Sequence, residues 1–287
     1  FKQKTAYEIR NCDWSSDVCS SDLLTLAGAL AISSNTGAIQ VGEMLSNDKL
    51  HSYLKKFGVG EKPGSGLPGE ESGKLLDVKD WSGTTAPTVA FGQGYSVTAM
   101  QATSVFATIA NDGVRVTPTV VAGISDAAGR YTPSNKQKSV RVVSAETAKK
   151  MRLMMESVVS ASGTAPSAAI PGYRVAGKTG TAQRVDDSCG CYRGYTASFI
   201  GFAPADKPEF VVSVTIQDPK GLHWGGYLGG PVFKKVMSFV LKDQHIPPTA
   251  PATFTYALNE EDLKARIAAQ AADKKNSSNQ LRVQSNG

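Results

Sequence analysis

Three apolar stretches follow one another closely: Tyr173–Val185, Tyr195–Ala203 and Phe210–Gln217. The second contains Ser198, Phe199, Ile200, Gly201 and Phe202, and the third Val211, Val212, Ser213, Val214, Thr215 and Ile216. Such alternation predicts strands with at least one covered face, and the short connections favour antiparallel neighbours. Gly229-Gly230-Pro231 then predicts the opening of a helix, with proline in its first turn and Val232, Phe233, Val236, Met237 and Val240 towards a core.

Upstream the period is helical. Leu24, Leu26, Ala27, Leu30 and Ala31 make one apolar face, Ser33-Ser34-Asn35 interrupts it, and Ile39, Val41 and Met44 resume it. Serine and asparagine compete for backbone donors, so the interruption reads as a cap between two short helices. Asp48 to Phe57 is amphipathic and stops at Gly58; residues 60–73 are a glycine- and proline-rich loop. Thr88 to Tyr95 is a short apolar run closing in Gly92-Gln93-Gly94, and a helix runs from near Thr98 to Asn111. Val114 to Ile124 reads as strand, Ser125 to Lys138 as a polar connection, and Val140 to Val143 as a further strand. Ser144 caps a helix whose stripe of Met151, Met154, Met155, Val158 and Val159 reads as core packing. Helices and antiparallel strands in this order predict an α+β fold, an antiparallel sheet flanked by helices.

The first residue is Phe1, so the chain is expected to be a fragment. Residues 1–22 lack helical or strand periodicity and resemble a translated sequencing adapter; they are read as a non-native scar without regular structure. A secretory signal is the rival reading, with Lys2, Lys4 and Arg10 before Leu23 to Ile32, but Asp13, Asp17 and Asp22 interrupt it. Setting this stretch aside leaves two cysteines, Cys189 and Cys191, with one residue between them. A structural disulfide and a pair of bystander thiols both fit that spacing. His51, His223 and His245 lie far away in sequence, which argues against zinc. The net charge of +6 comes from scattered lysines and arginines without interleaved aromatics, so no nucleic-acid partner is expected. No apolar run approaches the roughly 20 residues of a membrane span.

Gly177-Lys178-Thr179-Gly180-Thr181 lies on the first strand of the trio. Glycine there lets a ligand backbone approach, lysine supplies a point charge, and the threonines supply hydroxyls. A solvated edge strand with a lysine is the plainer reading of those five residues alone. Ser33 and Asn35 before it, Gly92-Gln93-Gly94 with Val97-Thr98 between, and Gly229-Gly230-Pro231-Val232-Phe233 after it change the balance. Over about Leu23 to Lys242 the chain resembles the transpeptidase domain of class B penicillin-binding proteins. The family's S-x-N motif falls on Ser33 and Asn35, and its K-T-G motif on Lys178, Thr179 and Gly180, with Thr181 following.

That resemblance implies a penicillin-binding transpeptidase, β-lactamase-like fold. It also implies a peptidoglycan D,D-transpeptidase acting on stem peptides ending in D-Ala-D-Ala through an acyl-serine intermediate, with β-lactams as ligands and no cofactor or metal. Ser33 would relay a proton to the leaving amine, Asn35 would bond the substrate amide, and Lys178 would place charge beside Ser33. Thr179 and Thr181 would grip the terminal carboxylate, Gly180 would leave room, and the Thr181 N–H would join the oxyanion hole. The family's S-x-x-K, which carries the nucleophile, belongs before S-x-N. The literal match Ser46-Asn47-Asp48-Lys49 comes after it and opens a helix, so it is rejected. No nucleophile is therefore expected in this chain, which is read as N-terminally truncated and inactive alone.

A serine β-lactamase and a non-catalytic β-lactam sensor are the alternatives. The long separation of Asn35 from Lys178 and the Gly-Gln-Gly segment resemble the penicillin-binding family better. The implied place is the extracytoplasmic face of the bacterial membrane, among membrane-bound cell-wall synthesis or divisome partners, with the anchor outside this chain. A Cys189–Cys191 disulfide fits that compartment. The domain plan is residues 1–22 as scar, 23–245 as partial transpeptidase domain, and 246–287 as a tail, helical over Glu260 to Ala272 and disordered from Lys274.

Overall fold

The computed structural model describes residues 9–12, 19–134, 137–186, 188–249 and 256–269. Its centre is an antiparallel sheet of β7 (Ala176–Asp186), β8 (Cys191–Ala203) and β9 (Phe210–Gln217), in that spatial order. Lys178 faces Ile200, Gly180 faces Ser198 and Thr181 faces Ala197 across β7 and β8. From Phe199 to Ala203 β8 is buried on both faces, which is why its apolar residues run on there without alternation. Phe199 points to one side, against Phe233, Met237 and Leu241 of α7 (Gly225–Asp243). Phe202 points to the other, with Ile109 of α5 (Ala99–Ala110) and Met155 of α6 (Ala145–Glu156).

The helical prefix folds as its sequence suggests. α1 (Leu26–Ala31), α2 (Asn35–Glu43) and α3 (Asn47–Lys56) are capped by the hydroxyls of Thr25, Ser34 and Ser46. Thr98 and Gln101 make a reciprocal capping box at α5. The buried Gln101 amide also donates to the carbonyls of Gly58, Glu61 and Ser72, tying down the glycine-rich loop. Ser144 caps α6, and Met151 and Met155 of its stripe pack in the core beside the sheet.

Several expectations need correction. α7 begins at Gly225, not at Gly229, and Pro231 lies inside it. Its glycines permit contact and do not end the helix: a Cβ at Gly225 would come 2.2 Å from the Ser198 carbonyl oxygen, and one at Gly229 2.9 Å from the Phe199 Cβ. Its buried row is therefore Phe233, Met237 and Leu241, while Val232 and Val236 are exposed. The stretch from Val114 to Ile124 is not one strand. It breaks at Pro118, which has no N–H for a ladder, into β3 (Val114–Val116) and β4 (Gly123–Ser125). β3 pairs with β6 (Ser139–Arg141). The polar connection after it holds β5 (Tyr131–Pro133), paired with β4 across a turn in which Asp126 Oδ1 accepts from the N–H groups of Ala128 and Arg130 at 2.9 Å each. The apolar run at Thr88 is the end of α4 (Thr85–Ala90).

Within residues 1–22, β1 (Ile9–Cys12) pairs antiparallel with β2 (Cys19–Leu24), where no regular structure is expected. A two-stranded ladder is made by backbone groups, so side-chain periodicity does not report it. Residues 260–269 are helical, as read; 270–287 lie outside the described residues. Among the described residues, no helix is long and apolar enough to cross a membrane.

Candidate active site

Ser33 and Lys178 are 145 residues apart in sequence, yet Lys178 Nζ donates to Ser33 Oγ at 2.6 Å. The Ser33-Ser34-Asn35 break supports this in two ways. Ser34 Oγ accepts from the N–H of Gly37 at 3.1 Å and starts α2. Ser33 sits just before it with φ of +59°, a left-handed conformation that serine rarely adopts, and projects into solvent. Cap and contact to Lys178 thus belong to adjacent residues, so the cap at Ser34 leaves Ser33 free to meet the lysine. Asn35 is the first residue of α2, on the same turn.

Lys178 is held on β7 and half-buried. Its ammonium also lies 3.1 Å from the Thr179 carbonyl oxygen and 3.3 Å from the Thr179 hydroxyl. Burial pushes its pKa down to about 8, because desolvation penalises the charged form. The Thr179 hydroxyl lies 3.0 Å from that of Thr164. The Thr181 hydroxyl accepts from the N–H of Gly225, in the first turn of α7, at 3.1 Å. The missing side chain of Gly180 admits the Ser198 hydroxyl of β8, which a Cβ there would approach to 2.5 Å.

Thr164 is the residue that sequence reasoning missed. Its N–H donates to the Ala31 carbonyl at 3.1 Å, fixing the end of α1 just before Ser33, while its hydroxyl meets Thr179. Its surroundings Gly163 and Ala165-Pro166 read only as loop. Gly225 lies four residues before the helix start that Gly229-Gly230-Pro231 predicts, so the sequence does not mark it.

Two literal S-x-x-K matches lie on α3 or its cap. Ser46 Oγ caps that helix by accepting from the Lys49 N–H, and Ser52 is followed three residues later by Lys55. Both serines are exposed, and α3 packs on the short 3-10 turn Val78–Asp80. A cleft of about 200 Å³ between α2 and α4 is lined by Ile39, Gly42, Ala86 and Pro87 and by none of the candidate site residues. Cys189 and Cys191 are bridged at the turn between β7 and β8.

The sheet is backed by α7, and its lysine-threonine-glycine strand meets a serine at the start of α2, in a mixed α+β arrangement shared with solved transpeptidase domains. The model of the penicillin-binding protein transpeptidase domain matches residues 1–238, and the chain belongs to that family. Its relatives place it with the class B members. It is 37% identical over 233 residues to the penicillin-binding protein PbpB of Mycolicibacterium smegmatis, covering 78% of this chain and 36% of that protein. It is 34% identical over 244 residues to the peptidoglycan D,D-transpeptidase FtsI of Escherichia coli, covering 83% and 39%. Among solved structures, penicillin-binding protein 3 of Mycobacterium tuberculosis, complexed with aztreonam, superposes with a TM-score of 0.78 at 32% identity, over 87% of this chain and 60% of that one. The transpeptidase domain of Burkholderia pseudomallei penicillin-binding protein 3 gives 0.72 at 34%, over 82% and 69%. The chain spans about a third of the length of the curated PbpB relatives it matches.

Proposed function

We propose that this chain carries the substrate-holding part of a peptidoglycan D,D-transpeptidase that cross-links D-Ala-D-Ala stem peptides through an acyl-serine and binds β-lactams at the same place. The observation that carries this reading is the 2.6 Å contact of Lys178 with Ser33, which unites two motifs at opposite ends of the domain. The solved Mycobacterium tuberculosis relative bound to aztreonam supports the β-lactam part.

The chemistry follows from the groups present. Among the described residues β7 is an edge of its three-stranded sheet, so its outer backbone groups suit pairing with an extended peptide. The Thr179 and Thr181 hydroxyls, with the N-terminal end of α7 behind Thr181, suit a terminal carboxylate. Lys178 donates to Ser33 Oγ and leaves the Ser33 proton available to the departing amine, while Asn35 holds the substrate amide. The Thr181 N–H serves the oxyanion. No S-x-x-K precedes Ser33 in the sequence given, and Ser46 is occupied as a helix cap. The chain by itself therefore does not acylate, and its nucleophile belongs to an upstream segment of the parent protein. The parent works at the extracytoplasmic face of the membrane with cell-wall synthesis or division partners. Residues 23–245 form the partial catalytic domain and 246–287 form its tail.

Incubation with a fluorescent penicillin tests this. The chain alone is expected to stay unlabelled. The same chain preceded by the family's S-x-x-K segment is expected to label stoichiometrically, with Lys178→Ala or Ser33→Ala slowing acylation by about 100-fold or more. Covalent labelling of Ser46 in the chain alone, or full-rate acylation by the Lys178→Ala form, would refute the assignment.

A further inference from the structure

The β7–β8 hairpin runs from the site to a turn closed by sulfur. Cys189 and Cys191 are bridged with only Gly190 between them and their Cα atoms 5.2 Å apart. We propose that this bridge is an exchange-active disulfide, a redox modification site on the folded protein that a thiol reductant, either a small thiol or a dithiol protein, opens reversibly.

The bridge adds little that the backbone does not already supply. After a register shift between Gln183 and Val185, pairing of β7 with β8 resumes with Val185 opposite Tyr192 and Asp186 opposite Cys191. The turn is then held by Asp186, whose Oδ1 accepts from the Ser188 N–H at 3.0 Å and from its hydroxyl at 2.5 Å. The Asp186 carbonyl also accepts from the Cys189 N–H at 3.3 Å. A cross-link removes chain entropy in proportion to the logarithm of the loop it closes, and a link across one residue closes the shortest of loops. Linkage is reciprocal: a bridge that stabilises the fold little is stabilised little by the fold. Its reduction potential therefore stays close to that of an unconstrained short ring, far from that of a structural disulfide.

Access points the same way. Both cysteines are exposed, and neither belongs to a buried apolar cluster. Arg193 Nη1 lies 3.6 Å from Asp186 Oδ2, and the field of Arg184 also reaches that carboxylate. Arg184 and Arg193 also reach the Asp218 carboxylate, so Asp186 and Asp218 balance the two guanidiniums and the local charge favours neither the bridge nor the thiols. In the exchange, a thiolate of the reductant bonds to one cysteine sulfur as the Cys189–Cys191 bond breaks. A second thiol displaces the mixed disulfide, leaving two protonated cysteines and an oxidised reductant.

The test is equilibration of the intact chain across glutathione mixtures from fully oxidised to fully reduced, followed by alkylation and mass spectrometry of the peptide holding residues 189 and 191. It requires no transpeptidase activity, so it stands apart from the functional reading above. The peptide is expected to pass from bridged to doubly alkylated or glutathionylated within that range, about 1,000-fold more readily than a structural disulfide. The reduced chain is expected to keep a cooperative melt within about 3 °C of the oxidised one. A peptide still bridged in the most reducing glutathione mixture, or loss of the cooperative melt on reduction, would overturn the proposal.

Discussion

The backbone N–H of Gly225 reaches the hydroxyl of Thr181 at 3.1 Å, and this contact locks the first turn of α7 against the lysine-threonine-glycine strand. Only glycine permits it. A Cβ at position 225 would sit 2.2 Å from the Ser198 carbonyl oxygen and 2.3 Å from that of Gly180, both main-chain atoms that cannot swing aside.

Gly225→Ala is therefore expected to lose more than about 3 kcal/mol, beyond ordinary overpacking, because the helix must lift off the sheet. Gly83 provides the contrast: it has open space where its Cβ would go, and its φ is not in the left-handed range. Gly83→Ala is expected to be neutral or to gain up to about 1 kcal/mol from the less flexible unfolded chain. Urea denaturation of both variants checks the order, and equal stabilities would contradict the packing argument.

Lys178 gives a pH dependence with a definite sign. Its folded pKa of about 8 lies below its ordinary 10.5, so between these values the unfolded chain binds more protons and stability rises with pH. Below pH 8 both states are charged and the penalty is constant. The stability of the wild type relative to Lys178→Met is expected to improve from pH 7.5 to pH 10.5, as read by denaturant midpoints at fixed ionic strength. A flat difference would mean that burial does not disfavour the ammonium. Retention of a carboxylate ligand by the completed domain should move the opposite way, weakening as Lys178 loses its charge.

The ion pair of Arg174 with Glu156 joins the end of α6 to the segment leading into β7. Arg174 Nε lies 2.9 Å from Glu156 Oε2 and Nη2 2.5 Å from Oε1, with Glu156 wholly buried. Burial pushes the Glu156 pKa up against the guanidinium's pull. Arg174→Met would leave the carboxylate buried without its partner, and is expected to cost about 3–5 kcal/mol. The double change Arg174→Met with Glu156→Met is expected to recover most of that loss. A double variant as unstable as the single one would show that the pair is worth more than its desolvation.

How much of this was legible in the sequence depended on whether a feature is local. The caps at Ser34, Ser144 and Thr98 are written within four residues, and the three long strands within eight to thirteen. The pairing of Ser33 with Lys178 follows only from the family's motif order, since nothing near either residue names the other. The start of α7 was misread because glycine has two uses, breaking a helix and letting a helix approach a sheet. Only the position of Ser198 and Gly180 beneath Gly225 separates them. Thr164 was invisible for a related reason: its two contacts, Ala31 and Thr179, come from opposite directions in the chain.

α7 also presents a face with nothing over it among the described residues. Phe233, Met237 and Leu241 are fully buried, while Val232, Val236 and Phe239 on the other side are 43%, 43% and 68% exposed. Their spacing of four and three residues makes one apolar stripe. Among the described residues β9 pairs with β8 alone, so its other edge carries backbone groups without a strand partner there. An apolar stripe and an unpaired strand edge each favour association with another chain. The chain on its own is expected to self-associate at micromolar concentrations, as measured by light scattering or sedimentation. The combined change Val236→Lys with Phe239→Lys is expected to lower the average mass without lowering the melting temperature, because both side chains already face solvent. If the variant associates as strongly as the wild type, the stripe is not the contact and the β9 edge becomes the site to block. If the wild type is monomeric at these concentrations, neither surface is sticky enough to require cover.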